Sequence, residues 1–459
     1  ARGVAADREL VDGALYCGTA IEEVAKQEAI ELTGLENPKS REQMLTWLQG
    51  HGVAIPDLRS ATVEDALEHK DEFEPDVARV LELRQLLSKA SIKKYSTVVT
   101  TMCEDGRIRG LLQFYGANRT GRWAGRLVQV QNLPRTYLHG AMLDTARDLT
   151  RRKLPEGLEL LYGSVPGTLS QLVRTALVPR PGCKFVDADF SAIEARVVAW
   201  LAGEEWVLQV FRTHGKIYEA TASQMFGVPL DRIVKGNPEY ALRQKGKVAT
   251  LALGYQGGSS ALIAMGALKN GLTEEELPDI VSRWRQANRA IVRCWKAVEQ
   301  AAIQAVETGR SCATHGLVFA READIDSGLD FLTIRLPSGR KLYYAQPHFG
   351  VNQWGGKQLR YYGMNQMTKK WSVIETYGGH MTENIVQAIA RDCLAVNIER
   401  LENAGFPIVF HIHDEVVIEV PEDRADLDEV TRIMGQPIEW APGLPLAADG
   451  WVGDYFTKD

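Results

Sequence analysis

Apolar residues recur at helical spacing through the first ninety positions. They predict helices over Asp7 to about Leu32, Arg41 to Gly50, Thr62 to Lys70 and Pro75 to Ala90. The pattern then changes to β-branched and aromatic runs. A hairpin is expected from Ser96 to Met102 and Arg107 to Tyr115, turning at Glu104-Asp105-Gly106. Lys184 to Phe190 reads as a strand, and Ser191 to Leu201 as a helix leaving it. Residues 201–330 read as mainly helical, and a hairpin follows from Phe331 to Tyr344 around Pro337-Ser338-Gly339. A helix from Met381 to Leu401 precedes the apolar run Ile408 to Val420, which predicts two strands meeting at His413-Asp414-Glu415. There is no internal repeat and no low-complexity segment.

That last turn is where the pattern first suggests chemistry. Two adjacent acids at the tip of a hydrophobic hairpin are costly to place near a core, and a bound divalent cation offsets such a cost. Asp187 and Asp189 lie far upstream, at the end of a strand and on one face of it if the strand is regular. Carboxylates from two distant strand ends suit a two-metal site for phosphoryl transfer. Asn237-Pro238-Glu239 reads as an N-cap, a first-turn proline and a first-turn acid. The helix that follows carries Arg243, Lys247, Leu251 and Tyr255 at steps of four, on one slowly drifting face. Two cations one turn apart repel unless an anion lies between them, and a triphosphate is a natural candidate. Ser191-x-x-Glu194 has the spacing of a capping box.

Composition limits the class. A chain of 459 residues suggests two or three domains. No apolar run reaches the length of a membrane span. The start, Ala1-Arg2-Gly3-Val4, lacks an initiator Met and an apolar signal stretch, and reads as a fragment or a processed chain. Six scattered cysteines without a C-x-x-C pair argue against a zinc site or a disulfide scaffold and fit a reducing cytoplasm. A formal net charge of −6 looks wrong for a nucleic-acid binder, but the distribution is uneven. Residues 84–135 hold ten Lys/Arg and two Asp/Glu, a local +8, whereas residues 1–75 hold seven and sixteen, a local −9. A basic stretch on an acidic chain fits a groove for a polyanion.

Taken together these segments resemble family A DNA polymerases, the DNA polymerase I group. Asp189-Phe190-Ser191-Ala192-Ile193-Glu194-Ala195-Arg196 is similar to their first palm motif, and His413-Asp414-Glu415 to the second. Arg243-x-x-x-Lys247-x-x-x-Leu251-x-x-x-Tyr255 resembles their fingers helix. Thr120-Gly121-Arg122 with Gln131-Asn132-Leu133-Pro134 resembles their primer-binding segment, and Gln387 sits where the family has a template-primer glutamine. The wording is closer to phage polymerases than to bacterial repair enzymes. Leu251 stands where most members have an aromatic residue, and Tyr218 where bacterial members have a His.

The resemblance implies an α+β right-hand fold. Residues 1–95 would form the thumb, 96–200 and 341–459 a discontinuous palm, and 201–340 the fingers. It implies template-directed addition of dNTPs to a primer 3′-OH, with primer-template DNA and dNTPs as partners and two Mg²⁺ ions, replaceable by Mn²⁺, as cofactor. Asp189 and Asp414 would hold the metals with Glu415 in support, and Asp187 reads as a solvated acid or one behind the ligands. Arg243, Lys247 and Tyr218 would meet the triphosphate, Leu251 and Tyr255 the base, and Glu194 the sugar 2′ position. Arg122, Gln131, Asn132, Gln387 and His413 would contact DNA, with Arg119 and Arg126 as phosphate contacts. A monomer in the cytoplasm of a bacterial host is expected, without a 3′→5′ exonuclease in this chain.

Plainer readings stand beside these. Asp414 and Glu415 could form an exposed turn, Arg243 and Lys247 a solvated helix face, and Tyr255 part of a core. Arg119, Arg122 and Arg126 could belong to a loop packed by its own Trp123, and His413 could shape the turn. A single-subunit RNA polymerase shares the palm plan, and a DNA-binding module with a dead site is the rival from another class. Reverse transcriptase is disfavoured because no Tyr-x-Asp-Asp occurs.

Overall fold

The computed structural model describes residues 2–88, 91–326, 328–352 and 355–457, with the backbone alone at Ser91 and Ile92. The expected helix end at Ala90 lies outside the described residues.

Strand β1 (Val4–Ala6) leads into α1 (Arg8–Thr33). Asp7 caps that helix by accepting from the Leu10 N–H, and Gly34 ends it in the left-handed region. Helices α2 (Arg41–Gly50), α3 (Ser60–Glu68) and α4 (Pro75–Ser88) follow. They close a small core of their own around Met44, Leu48, Val63, Val77, Val80 and Leu81.

The expected strand from Ser96 to Met102 is instead a helix, α5 (Ser91–Thr101). Its β-branched residues suggest a strand locally, but tertiary packing wins. Tyr95 and Val98 are buried on one face, and the Tyr95 hydroxyl donates to the Leu169 carbonyl at 2.7 Å. The Thr97 and Thr101 hydroxyls donate back to the carbonyls of Lys93 and Thr97, so the threonines satisfy themselves within the helix. The Asp105-Gly106 turn forms as expected, but β2 (Arg107–Ile108) pairs with β1. Strand β3 (Leu112–Ala117) pairs with β4 (Arg122–Gly125).

Helices α6 (Gly140–Arg151), α7 (Pro155–Tyr162) and α8 (Val165–Leu172) pack with α1 and α5, and β5 (Leu177–Val178) joins β1. The chain then enters the central strand β6 (Cys183–Phe190) and α9 (Ile193–Ala202). A helical stretch follows: α10 (Glu205–Thr213), α11 (Ile217–Phe226), α12 (Leu242–Leu253), α13 (Ser259–Ala264), α14 (Leu277–Ala287) and α15 (Arg289–Thr308).

The expected hairpin around Pro337 is present, but within a larger antiparallel sheet. Its strands are β7 (Cys312–Thr314), β8 (Leu317–Ala323), β9 (Asp330–Arg335), β10 (Lys341–Val351), β11 (Lys357–Met364) and β12 (Trp371–Thr376), in order β12-β11-β10-β9-β8-β7. Leu332, Ile334, Leu342, Tyr344, Leu359 and Tyr361 are buried and belong to the main core shared with α15 and the long helix α16 (Gly378–Asn403).

The remaining elements are β13 (Ile408–Ile412), β14 (Glu415–Pro421), α17 (Leu427–Met434) and β15 (Ala448–Gly453). They complete a four-stranded antiparallel sheet of order β13-β14-β6-β15. This sheet brings residues some 225 positions apart side by side (Asp189 and Asp414).

Candidate active site

Register places the acids. Along β14 and β6, Glu415 lies opposite Asp189 and Val417 opposite Asp187. On the other side of β6, Asp449 of β15 also lies opposite Asp189. Directly opposed residues share a face, so Glu415, Asp189 and Asp449 form one acidic row across three strands. Asp414 sits in the turn before β14, and its carbonyl accepts from the Phe190 N–H at 3.2 Å. His413, exposed and at φ 51°, turns the chain sharply enough to put Asp414 there. Asp187 is 3% exposed, which excludes the solvated reading; it lies beneath the row. The buried Arg174 guanidinium donates to the carbonyls of Leu133 and Pro134, both at 2.7 Å. Burial lowers its pKa, and the fields of Glu415 and Asp187 favour its charged form.

The donor set suits a hard cation. Among the described residues no three His, Cys, Asp or Glu side chains form a metal cage. Asp414 offers carboxylate oxygens at the edge of a cavity, and Asp189 lies on the neighbouring strand. Magnesium takes one or two carboxylates together with waters and substrate phosphates rather than a cage made only of protein, so these residues fit it.

Above the acids lies a cavity of about 460 Å³, lined by Asp414, Glu194, Tyr218, Leu251, Tyr255 and Gln387 among others. Glu194 is its hub. Arg122 Nη2 donates to Glu194 Oε1 at 2.6 Å, and the Tyr255 hydroxyl donates to Oε2 at 2.8 Å. The expected capping box is therefore absent: Ala192, at φ 51°, takes the N-cap position of α9, and no side chain caps the helix. Two long-range partners outcompete one local backbone N–H. Burial first, and then Glu194, holds the Tyr255 phenol well above its usual pKa. Glu383 of α16 faces the same carboxylate. Burial, then Glu194, raises its pKa, and it accepts from Gln387 Nε2 at 3.3 Å.

Helix α12 forms a second wall. Its entry is a 3₁₀ turn, Pro238–Ala241, and Asn237 gives no side-chain cap; its amide donates to the Arg232 carbonyl instead. Arg243 and Lys247 both face the Tyr218 ring, at 5.4 Å and 6.0 Å from its centroid. The Arg243 Nε donates to Glu219 Oε1 at 2.8 Å. Lys245, on the opposite face, pairs with Glu276. Gly246 is obligatory here, because a Cβ would lie 2.2 Å from the Tyr218 carbonyl oxygen. Leu251 is 46% exposed, and Tyr255 lies just past the helix end.

The basic loop is also resolved by partners. Arg122, Gln131 and His413 line one narrow cleft, so three of the expected primer contacts come together. Arg126 and Asn132 are exposed beside it. Arg119 is drawn elsewhere: its Nη1 lies 3.3 Å from His380 Nε2 at the start of α16. Trp123 is not packed by its own loop. Its ring lies 4.1 Å from the Arg391 guanidinium and meets His411 edge-on at 4.6 Å. Sequence reading missed Arg174, Glu219, Glu383 and Asp449. Only the strand register or the helix packing reveals them.

Residues 17–317 match the family model described as DNA polymerase family A. The chain is 53% identical over its whole length to the DNA polymerase of Bacillus phage SP02, of which it spans 69%. It is 26% identical over 293 residues, 62% of its length, to the thermostable DNA polymerase I of Thermus aquaticus, spanning 28% of that protein. Among solved structures, the POL domain of Pol1 from M. smegmatis, in complex with DNA primer-template and dNTP, superposes with a TM-score of 0.63 at 18% identity. That likeness covers 99% of this chain and 67% of the other, and shows that the fold is the expected α+β polymerase fold. No helix among the described residues is long and apolar enough to cross a membrane. With 53% of its residues shared end to end with a phage DNA polymerase, and with the family model matching from α1 through to β8, the chain belongs to DNA polymerase family A and is a DNA-directed DNA polymerase.

Proposed function

We propose that the chain extends a DNA primer by nucleotidyl transfer assisted by two divalent metal ions, with release of pyrophosphate. The observation that supports this best is that Asp189 lies beside the turn carrying Asp414, which lines a cavity whose Tyr218 wall carries Arg243 and Lys247.

Asp189 and Asp414 would hold Mg²⁺, or Mn²⁺ in its place, with Glu415 and the buried Asp187 behind them. Bound metal would lower the pKa of the primer 3′-OH and stabilise the charge that develops on the leaving pyrophosphate. Arg243 exchanges Glu219 for the triphosphate, and Lys247 neutralises a neighbouring phosphate. Leu251 and Tyr255 shape the base pocket. Glu194, held from both sides, fills the space under the sugar and excludes a 2′-OH. Arg122, Gln131 and His413 meet the primer end, Asn132 and Arg126 the backbone beside it, and Gln387 the template-primer junction. Arg119 braces α16 through His380 instead of meeting a phosphate.

On this reading residues 1–95 serve as thumb, extended by α5 to Thr101. Residues 341–376 belong with the fingers, because the boundary at 340 would cut the sheet between β9 and β10. The rest forms the palm. The working form is a monomer in the cytoplasm of a bacterial host.

Single-turnover extension of a labelled primer tests the reading. Expected is extension that requires Mg²⁺ and a template and prefers dNTPs to rNTPs. Preference for rNTPs would favour an RNA polymerase, and DNA binding without any extension would favour a module with a dead site.

A further inference from the structure

The six-stranded sheet has a face that the proposed chemistry does not use. Phe331, Ala345, Tyr362 and Val373 lie in register across β9, β10, β11 and β12. Opposed residues share a face, and so do residues two apart on a strand. The same face therefore carries Tyr343, Met364 and Trp371, with Lys341 opposite Arg335. The other face is the buried one. Tyr343 is 56% exposed and Trp371 60%, with Met364 at 43% and Val373 at 42%. The Phe331 and Tyr343 rings meet edge-on at 5.9 Å, which joins β9 to β10 on this face. Large apolar side chains exposed together on one sheet face mark an interaction site.

Charge indicates the occupant. Residues 331–377 hold seven Lys/Arg and one Asp/Glu, a local +6 on a chain of net −6. Four of these cations are answered by acids, Lys341 by Glu322, Arg360 by Glu375, Arg340 by Asp392 and Lys357 by Glu307. Arg335 and the turn residues Lys369 and Lys370 are exposed. An aromatic sheet face rimmed by cations is how proteins hold unpaired nucleotides: every base has a face to stack, and the backbone is a polyanion. A duplex offers no free base faces to such rings.

The sheet is also tied to the nucleotide cavity. Strand β12 runs through Tyr377 directly into α16, and a Cβ on Gly379 would lie 2.4 Å from the Tyr255 carbonyl oxygen. We propose that the outer face of β9–β12 binds the single-stranded template ahead of the nucleotide cavity, by stacking bases on Tyr343 and Trp371 and pairing phosphates with Arg335, Lys369 and Lys370. This rests on the polymerase reading, since the unpaired template is the single strand such an enzyme carries.

The test measures affinity by fluorescence anisotropy for one primer-template with a 5′ overhang of about two or about twelve nucleotides, a length sufficient to cross a sheet of this kind. The wild type should bind the long overhang roughly tenfold more tightly. Y343A/W371A and K369E/K370E should each lose that gain while keeping their affinity for the short overhang. Y343F/W371F, which retains ring faces, should restore it, and its melting temperature controls for folding. Retention of the gain in both disruptive variants overturns the proposal. Equal affinity for both overhangs in the wild type also overturns it and leaves the face to a protein partner. Extension of the short-overhang substrate by the wild type is read separately, so the polymerase reading survives or fails independently.

Discussion

The two large sheets are both antiparallel, yet they treat their faces oppositely. In the four-stranded sheet, β14 is buried at every position from Glu415 to Val420. In the six-stranded sheet, β12 alternates between exposed and half-buried along most of its length. A strand covered on both sides cannot shed its charges into water, so each acid on it must be answered. Glu419 is answered by Arg107, with both oxygens at 3.2 Å, and by Arg180 at 2.7 Å. Glu415 lies in the field of Arg174. On the six-stranded sheet, pairs such as Arg360–Glu375 lie in solvent and are optional. Charges in the first sheet are commitments of the fold or of the chemistry; those in the second adjust a surface.

The largest expected break of this contrast is at the acidic row. Asp189→Ala or Asp414→Ala should slow extension by roughly three orders of magnitude or more, since metal stabilisation of the transition state is worth several kcal/mol. Primer-template affinity should largely survive, because it comes from the basic segments. Extension near the wild-type rate by either variant would remove the metal assignment.

Next comes the structural acid of the same strand. Glu419→Ala leaves Arg107 buried without its carboxylate and should cost about 3–5 kcal/mol in urea unfolding. The matching change on the other sheet, Glu375→Ala, should cost well under 1 kcal/mol. Equal costs would erase the contrast.

A titration sharpens it. Burial, helped by Arg391, pushes His411 of β13 down to about 4. The folded protein therefore keeps it neutral, while the unfolded chain takes up a proton below about pH 6.5. Its contribution is complete above that pH and is lost progressively as the pH falls toward 4. Stability measured at pH 7.5 and pH 5 should differ by on the order of 1–2 kcal/mol more in the wild type than in His411→Leu. Parallel pH profiles would mean that His411 is not the group responsible.

An effect of similar size is the most selective. Glu194→Ala should relax exclusion of rNTPs by roughly ten- to hundredfold in kcat/KM. No helix cap is lost, because none is formed. Unchanged sugar selectivity would leave Glu194 as a brace for Arg122 and Tyr255 alone.

How much of this the chain disclosed in advance depends on the range of the interaction. The Asp7-capped helix, α2, β6 and the turn at His413 were legible, since a cap, a period or a turn residue marks each locally. Helix α5 was not, because its threonines and valines suggest a strand until Tyr95 finds Leu169. Of the six-stranded sheet only the Pro337-Ser338-Gly339 hairpin could be read, and the stretch holding β7 and β8 looked helical. The candidate site followed the same rule. Asp189, Asp414, Arg243 and Lys247 sit in recognisable local patterns. Asp449, Glu219 and Arg174 enter through partners 24 to 260 positions away, and no local signal carries them. Glu194 shows the cost of trusting spacing alone: its capping-box pattern is present, and its side chain is used elsewhere.

That carboxylate joins three segments of the chain: its own α9, β4 through Arg122, and the turn just past α12 through Tyr255. If Arg122 reads the primer end and Tyr255 the incoming base, then Glu194 makes the two binding events thermodynamically linked. Whatever factor a bound primer applies to nucleotide affinity, the nucleotide must apply to primer affinity in return. A fault in the pair just completed and a fault in the pair about to form would then register at the two oxygens of a single side chain.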